Sequence, residues 1–386
     1  MPASRLLDTV GAARLPVAFV SGEGALLWDE HGRTCWDFYG GHAVTLLGQG
    51  HPRWVEAIAA QARQLSFLTT LCEVPVRDRA AEALCGFTGM DRVFFVNSGA
   101  EANEAALKIA RKATGRSVIV AMEDGFHGRT AGAVGVSHHY REQHLPAHGE
   151  VRFVPFGDLG AVARALDEDV AAVIAEPVQG MAGVVVPPPG WLAGVKAACE
   201  RVGALLIADE VQCGIGRMGA PLASMLDGVR PDLVSVGKGV GGGFPVAALL
   251  LTEALAATTR PGEHGTTFGG GPLAAAAVEA TLRIVAEEGL LQRGLQLGER
   301  MAEVLGAVPG VLEVRGRGPW AGLVLDRAAK PVAQALLERG FLVGTATDPR
   351  VLRLAPPAVA PLYAVDLLGD ALHDALPARA PAVVAA

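Results

Sequence analysis

The sequence predicts an α/β protein built on a mostly parallel, doubly wound sheet, and two observations support this prediction. Between about residues 75 and 255, short β-prone apolar segments alternate with segments of helical periodicity, as in a series of βαβ units. The apolar segments are bounded by glycine and show no polar alternation, which is typical of strands buried on both faces. From about residue 275 short strands and helices follow, which predicts a smaller α+β domain.

The chain begins with a predicted N-terminal arm and a small β meander. Two candidate strands, Ala25–Asp29 and Thr34–Phe38, flank the turn Glu30–Arg33, as in a hairpin. A glycine-punctuated loop over residues 39–52 leads to a stretch of helical periodicity from Trp54 to Leu65.

The main sheet and its helices follow. Strands are expected at Arg92–Val96, Ser117–Ala121, Val151–Pro155, Ala171–Ala175, Ala204–Ala208, Leu233–Val236 and Val246–Leu251. Helices between them are expected at Ala100–Thr114, Gly157–Leu166 and Trp191–Val202.

The last part of the chain opens with an alanine-rich helix, Pro272–Glu287, and a further helix before Pro309. Later elements are expected as strands at Leu312–Arg315, Gly322–Leu325, Phe341–Val343 and Val351–Leu354 and as helices near 331–339 and 365–375. We therefore divide the chain into an arm with part of the small domain (1–52), a large α/β domain (53–270) and a C-terminal α+β segment (271–386).

Composition narrows the function classes. Hydrophobic residues make up 51% of the 386 residues and charged ones 19%, which is typical of a globular protein. The net charge of −7 gives no electrostatic footprint for nucleic acid. Five scattered cysteines without a CxxC pair favour a reducing compartment, and we find neither a signal-peptide pattern nor an apolar stretch long enough to span a membrane. We expect a soluble cytoplasmic protein, whose high apolar content leaves room for a subunit interface.

The strongest candidate site joins Asp209 and Lys238, which follow two apolar segments that predict neighbouring strands. Ligands of open α/β sheets collect outside the carboxyl ends of such strands. A lysine flanked by glycine reaches an aldehyde easily and forms a Schiff base, and an aspartate facing a pyridine nitrogen keeps that ring protonated. The pair therefore suggests a pyridoxal phosphate (PLP) enzyme. The alternative for either residue alone is a turn aspartate or an exposed loop lysine.

A phosphate site is predicted where a strand becomes a helix, at Val96–Asn103. Ser98 can cap the helix, Gly99 allows close approach of the backbone, and the free N–H groups attract an anion. The alternative is an ordinary capping box with Glu101.

Five further residues are candidates for ring or anion binding. Phe126 could stack on a flat ring and Arg129 could hold a carboxylate, although a core phenylalanine and a solvated arginine are the alternatives. Thr266 and Thr267, between glycines, suit phosphate or carboxylate, or form a polar turn. Arg353 lies within a short apolar segment, so it requires either a carboxylate ligand or an internal salt bridge.

Two other patterns are weaker. Residues 237–242 match the dinucleotide fingerprint GxGxxG, but Pro245 and a second strand pattern follow, so no helix opens there. A histidine-rich patch lacks ligand spacing and nearby cysteine, and we expect no metal site there. The patch consists of His138, His139, His144 and His148.

Taken together and in this order, these motifs resemble the class III (ω-amino) aminotransferases of the fold-type I PLP family, over roughly residues 15–375. The chain looks most similar to the branch that acts on acetylornithine and to relatives that act on carrier-bound lysine precursors. Members of the family are homodimers with shared active sites and use PLP, which the resemblance implies here.

The resemblance also implies a role for each site residue. Lys238 would hold PLP covalently, Asp209 would pair with its ring nitrogen, Gln212 would reach the ring hydroxyl, and Val211 and Phe126 would cover the two ring faces. Ser98, Gly99 and Ala100, with Thr267 from the partner subunit, would hold the phosphate. Arg129 and Thr266 would contact substrate, and Arg353 would take the α-carboxylate of glutamate or 2-oxoglutarate.

By this resemblance the reaction moves an amino group from an ω-amine, with N-acetylornithine as first choice, to 2-oxoglutarate. The family's usual glutamate, thought to shield the arginine at position 353 while an ω-amine binds, is Met181 here, and His42 and Gln49 are unusual in the substrate loop. We therefore include His42 among the substrate residues and expect altered or broadened donor choice, towards α-amines. Alternatives are transaminases of ornithine, 4-aminobutyrate or a carrier-bound amine and, outside the class, a nicotinamide-dependent oxidoreductase or a non-catalytic ligand binder.

Overall fold

The structure, a computed structural model, describes residues 14–141 and 149–376 together with Leu7 and Thr9. It contains three sheets. The N-terminal sheet has the order β1-β2-β3-β13 and consists of β1 (Phe19–Glu23), β2 (Leu26–Asp29), β3 (Thr34–Asp37) and β13 (Phe341–Leu342). The predicted meander is confirmed, with one strand more than expected. A parallel pair between β3 and β13 joins the N-terminal sheet to the C-terminal segment.

The central sheet has seven strands in the order β4-β10-β9-β8-β7-β5-β6. Its strands are β4 (Arg92–Val96), β5 (Val118–Met122), β6 (Val151–Val154), β7 (Val170–Ala175), β8 (Leu205–Asp209), β9 (Leu233–Val236) and β10 (Ala247–Leu251). β10 pairs antiparallel with both of its neighbours, and the other pairings are parallel. The predicted mostly parallel sheet is confirmed, and its inner strands β5, β7, β9 and β10 are buried along their whole length.

Helices cover both faces of this sheet, which makes it doubly wound. They include α2 (Pro52–Gln64), α3 (Pro75–Thr88), α4 (Gly99–Thr114), α5 (Ala131–Gly135), α6 (Leu159–Ala165), α7 (Trp191–Val202), α8 (Glu253–Ala256) and α9 (Pro272–Glu287). α3 is an addition to the predicted elements, although its sequence carries ordinary boundary residues. Pro75 stands in its first turn and Gly89 ends it in the left-handed conformation.

The third sheet is antiparallel, in the order β11-β12-β15-β14, with α10 (Leu290–Gly306), α11 (Ala329–Glu338) and α12 (Tyr363–Ala375) packed on it. Its strands are β11 (Val311–Gly316), β12 (Ala321–Leu325), β14 (Gly344–Thr345) and β15 (Val351–Leu354). The strands and helices predicted for this part of the chain are thereby confirmed. α9 shares its core with α3 and the central sheet, so its packing favours a division after this helix, while the division at residue 270 stays a prediction.

Among the helices in the described part of the chain, none has the length and apolar character that crossing a bilayer requires.

Candidate active site

A cavity of about 490 Å³ lies at the carboxyl ends of β8 and β9, against the N-terminus of α4. This is the edge of an open parallel sheet at which ligands bind. Nine of the predicted site residues line it: Ser98, Gly99, Ala100, Phe126, Arg129, Asp209, Val211, Gln212 and Lys238.

Lys238 follows β9 as the first residue of a 3₁₀ turn, Lys238–Gly241. Its φ of +44° is a left-handed conformation that a side chain with a Cβ adopts at a cost of about 1–2 kcal/mol. Strain of this kind persists where the surroundings impose it, and it is concentrated at functional sites. Burial lowers the pKa of the Lys238 amine, although the charges of Asp209 and Glu176 oppose the effect. The lysine therefore loses its proton more easily than a lysine in water.

Asp209 ends β8 and is held by three donors. The Asn103 amide and the His127 Nδ1–H donate to its Oδ2 at 2.8 and 2.7 Å, and the Val211 N–H donates to its Oδ1 at 3.0 Å. The side chains of Asp209 and His127 are 4% and 0% exposed. Because each oxygen already accepts from the protein, the carboxylate is fixed in one orientation at the bottom of the cavity.

The charges of Asp209 and His127 stabilise each other. Burial alone would raise the pKa of Asp209, but the hydrogen bond and charge of His127 bring it below the usual carboxyl value. Burial alone would lower the pKa of His127, but the bond to Asp209 and the charges of Asp209 and Glu176 raise it. The pair therefore favours an imidazolium beside a carboxylate. The other ring nitrogen of His127, Nε2, is buried without a hydrogen-bond partner in the described structure.

The N-terminus of α4 forms the second end of the cavity. Ser98 accepts a hydrogen bond from the Glu101 N–H at 3.3 Å, and the Glu101 carboxylate turns back to the Asn97 N–H at 2.9 Å. The hydroxyl of Ser98 thus serves as the helix cap, as in the alternative interpretation. The N–H groups of the first turn still have no partner within the helix and face an anion site.

Gly99 brings this helix end against Val211, two residues after the predicted ring-binding aspartate. A Cβ at Gly99 would lie 2.6 Å from Cγ1 of Val211, closer than real Cβ contacts. Only glycine allows the anion site and the Val211 side chain to stand this close together, so the two ends of the cavity fit one small, flat, phosphorylated molecule.

The side wall carries Phe126 and Arg129. The Arg129 guanidinium lies 5.6 Å from the ring centroid of Phe126 and 5.3 Å from that of Tyr140, within the range of cation–π attraction. Arg129 is exposed at the cavity mouth. Gln212 donates to the His42 carbonyl at 3.1 Å and so connects the cavity to the substrate loop.

Arg353 and His42 lie beyond the immediate lining. Arg353 is 5% exposed and donates only to backbone carbonyls, those of Thr345 at 2.7 Å and Gly180 at 3.4 Å. None of the ion pairs found in the described part of the chain includes it, so the salt-bridge alternative receives no support. Gly180 directly precedes Met181, so the neighbour of Met181 in the chain contacts this guanidinium.

His42 belongs to a turn, Gly40–Ala43, whose residues all have left-handed φ angles. The hydroxyl of Tyr39 lies 2.6 Å from its Nε2. Burial and then the charges of Arg353, Lys238 and Arg129 lower the pKa of His42 to about 4. Three cations therefore act on one neutral imidazole, which indicates a positive mouth suited to a dicarboxylate.

Thr266 and Thr267 do not line the cavity of the single chain. The Thr266 hydroxyl accepts from the Asn97 side chain at 3.2 Å, and Thr267 is exposed. Their proposed contacts therefore remain predictions. The GxGxxG match opens a 3₁₀ turn followed by β10 rather than an α-helix, as expected for a weak match.

Sequence reasoning missed several residues of the site. Asn103 is one helical turn past the anion site, His127 directly follows Phe126, and Glu176 accepts from the N–H groups of Phe126 and Gly180 at 3.0 and 3.1 Å. His127 stood in a motif already singled out. Its partner, however, is 82 residues away, and only the parallel sheet brings them together.

A lysine and a buried aspartate at neighbouring strand ends, with a helix N-terminus beside them, define a fold-type I PLP-dependent transferase. Comparison with known proteins agrees. The profile of the family described as aminotransferase class-III matches residues 9–376. The acetylornithine aminotransferase of Methanosarcina acetivorans is 42% identical over 375 residues, which are 96% of this chain and 94% of that protein.

Solved structures give the same result. The ornithine aminotransferase of Toxoplasma gondii, whose structure reports partial occupancy of PLP at the active site, has a TM-score of 0.90 and 33% identity over 96% of this chain and 92% of that one. The acetylornithine aminotransferase of Elizabethkingia anophelis has a TM-score of 0.83 and 31% identity over 94% of both chains. The chain belongs to the class III aminotransferases and is a PLP-dependent transaminase.

Proposed function

We propose that this enzyme transfers the terminal amino group of an ω-amine, with N-acetylornithine as the first candidate, to 2-oxoglutarate, and that arginine synthesis is its pathway. The single observation that supports 2-oxoglutarate as the acceptor is that Arg353 is buried and donates only to backbone carbonyls. A guanidinium in that position requires a carboxylate. The donor half is supported by relatives that bear the name acetylornithine aminotransferase.

The residues present fit PLP. Gly99 leaves the space that a Cβ would fill, the first turn of α4 offers N–H groups to a phosphate, and the fixed carboxylate of Asp209 suits a protonated pyridine nitrogen. Lys238 would hold the cofactor covalently. When bound, PLP supplies a carbonyl that exchanges with amines and a ring that accepts an electron pair.

The chain's own side chains perform the remaining steps. The Lys238 amine, which burial keeps unprotonated more often at neutral pH, would carry the proton between the substrate carbon that bears the amino group and the carbonyl carbon of the cofactor, in opposite directions in the two half-reactions. Asp209, held by Asn103 and His127, keeps its charge throughout. Arg353 and Arg129 orient carboxylates at the mouth, where His42 remains neutral because its pKa is about 4.

We further propose a homodimer in which the partner's copy of the segment carrying Thr267 completes the phosphate site. Thr267 is exposed and away from the cavity of its own chain, which is consistent with a contact to a second copy. The expected location in the cytoplasm stays a prediction.

The test is an amine panel on the purified holoenzyme. Stopped-flow absorbance of the cofactor should show rapid half-reactions with N-acetylornithine and with glutamate, and slower ones with ornithine and 4-aminobutyrate. An enzyme whose cofactor spectrum does not respond to any of these amines would contradict the proposal, as would one that turns over 4-aminobutyrate in preference to N-acetylornithine.

Met181 favours a second candidate, a donor range that includes α-amino acids. No described carboxylate covers Arg353, so an α-carboxylate can bind there in both half-reactions. Met181→Glu would add a covering carboxylate, and Met181→Gln is the neutral control of similar size. We expect M181E to raise the KM for glutamate and for 2-oxoglutarate more than M181Q does. Equal KM values in the two variants would rule this candidate out.

A further inference from the structure

A cluster of metal-ligand side chains lies outside the active-site cavity. Ligand atoms of Asp124, His138 and His139 all lie within 4.8 Å of one another. Asp124 follows β5, while the two histidines follow α5. The two segments are joined by the backbone, because the His138 N–H donates to the Gly125 carbonyl at 3.1 Å. The sheet therefore brings together residues that are 14 or more positions apart.

One nitrogen of this cluster has no hydrogen-bond partner among the described residues. His138 Nδ1 is buried without a hydrogen-bond partner, and it lies 3.8 Å from Asp124 Oδ1, beyond hydrogen-bond reach. The same oxygen is contacted by His139 Nε2. A salt bridge between Asp124 and His139 accounts for those two residues but leaves His138 Nδ1 unpaired. Buried polar atoms without partners are rare, and a missing ion is one of their ordinary causes.

The cluster is also held in place. The His138 ring packs against Phe153, with 5.1 Å between centroids, and against His139, with 4.7 Å. Asp124 has a φ of +60°, a left-handed conformation that is uncommon for a residue with a side chain and that aspartate tolerates better than most. Packing and the backbone therefore hold the two nitrogens and the oxygen near one another.

Contrary to the expectation from the sequence of the histidine-rich patch, we propose that Asp124, His138 and His139 form a site for a divalent transition metal of the zinc type, because the fold adds an aspartate to two of those histidines. Zinc–ligand distances of about 2.0–2.2 Å in a tetrahedron place the ligand atoms roughly 3.3 Å apart. The ligand atoms here lie within 4.8 Å of one another, with 3.8 Å between His138 Nδ1 and Asp124 Oδ1, so the side chains would move closer together around a metal. Two imidazoles and one carboxylate suit zinc, nickel or cobalt better than calcium or magnesium. The ligand side chains are 33–53% exposed, which leaves the fourth position open to water or an external ligand.

The site borders the wall of the active-site cavity. Asp124 is two residues before Phe126, and Tyr140 follows His139 and packs edge-on against Phe126 with 4.9 Å between centroids. None of the three ligands lines the cavity itself. The proposal is therefore independent of the donor and acceptor assigned above.

The experiment uses chelator-treated, dialysed holoenzyme titrated with Co²⁺, whose visible d–d absorption reports coordination geometry, followed by displacement with Zn²⁺. We expect one Co²⁺ per chain, with affinity at least tenfold weaker in His138→Gln and in Asp124→Asn. The matched control is His31→Gln, since His31 is exposed and lies in the turn between β2 and β3, away from the cluster.

Two results would overturn the proposal. One is the absence of a Co²⁺ band with excess metal, and the other is equal affinity in H138Q, D124N and H31Q, which would place the metal elsewhere. The cofactor absorption of each variant checks that it is folded. His139→Gln provides a third ligand variant if either of the others fails that check.

Discussion

The two ends of the active site are built differently. At the cofactor end, the Asp209 carboxylate accepts three hydrogen bonds and is almost fully buried. At the substrate end, Arg353 donates only to two carbonyls, and Arg129 is exposed over two aromatic rings. At the cofactor end the protein alone therefore fixes the orientation of a carboxylate, whereas at the substrate end no ion pair of the described residues includes Arg353. The residues that determine the reaction type are therefore fixed by the fold, while substrate choice depends on a few arginines and their neighbours.

The largest expected effect comes from Lys238→Ala. Removing the amine removes both the covalent attachment and the proton carrier, so we expect kcat to fall by about 10²–10⁴-fold or more. The absorption band of the lysine-bound cofactor should disappear, while cofactor still co-purifies through the anion site of α4. Lys238→Arg is the control that keeps the charge. Full turnover by the alanine variant would show that Lys238 is neither the attachment point nor the proton carrier.

Asp209→Asn should have the next largest effect, on the order of 10²–10³-fold in kcat, because a preorganised charge is lost from a buried site. A variant that keeps kcat within a fewfold would contradict the assignment of Asp209 to the pyridine nitrogen. His127→Gln should cost less, since it removes only one of the three donors to that carboxylate.

The Asp209–His127 pair also predicts a pH dependence of unfolding. The pKa of Asp209 is lowered in the folded state, so its stabilisation is present above the unfolded carboxyl pKa near 3.8 and is lost as the pH falls through the folded value. The pKa of His127 is raised, so its stabilisation is present below 6.5 and is lost as the pH rises through the folded value. Urea unfolding of the apoenzyme should show the pair at full strength between these limits, and D209N should flatten the profile.

Some residues of the active site could be predicted from the sequence, and others could not. Asp209 and Lys238 were predictable because a buried parallel strand is visible as an apolar segment and its end marks a ligand site. Asn103 and His127 were not, because hydrogen bonds between distant strands leave no periodic pattern. The antiparallel direction of β10 was equally hidden, since strand direction depends on how the chain returns to the sheet.

The roles of Thr266 and Thr267 are the clearest limit of sequence reasoning about this site. Their glycine-flanked hydroxyls predicted an anion contact, but neither residue lines the cavity in the single chain. A contact made across a subunit interface leaves the same local pattern as an ordinary polar turn, so the amino-acid order alone does not separate the two.

At the substrate end, Arg353→Gln should raise the KM for 2-oxoglutarate by roughly 10–150-fold, the range expected for a charged hydrogen bond of about 1.5–3 kcal/mol. The half-reaction with a donor that lacks an α-carboxylate, such as 4-aminobutyrate, should change much less. Arg129→Gln serves as the matched control, since it removes the other arginine of the mouth. Equal KM changes for both substrates in R353Q would show that Arg353 does not select between carboxylates.

The smallest effect is a shift in the titration of His42, and it measures the charge at the mouth directly. The imidazole has a pKa of about 4 because burial and then Arg353, Lys238 and Arg129 disfavour its protonated form. Removing one cation in R353Q should raise that pKa towards the ordinary 6.5, and saturation with a dicarboxylate should do the same by neutralising the cations. NMR titration of labelled imidazole, with His42→Asn identifying the resonance, gives the value in each case. If the pKa of His42 is the same in R353Q as in the parent enzyme, the arginine does not act on the substrate loop, and the positive mouth must be assigned to Lys238 and Arg129 alone.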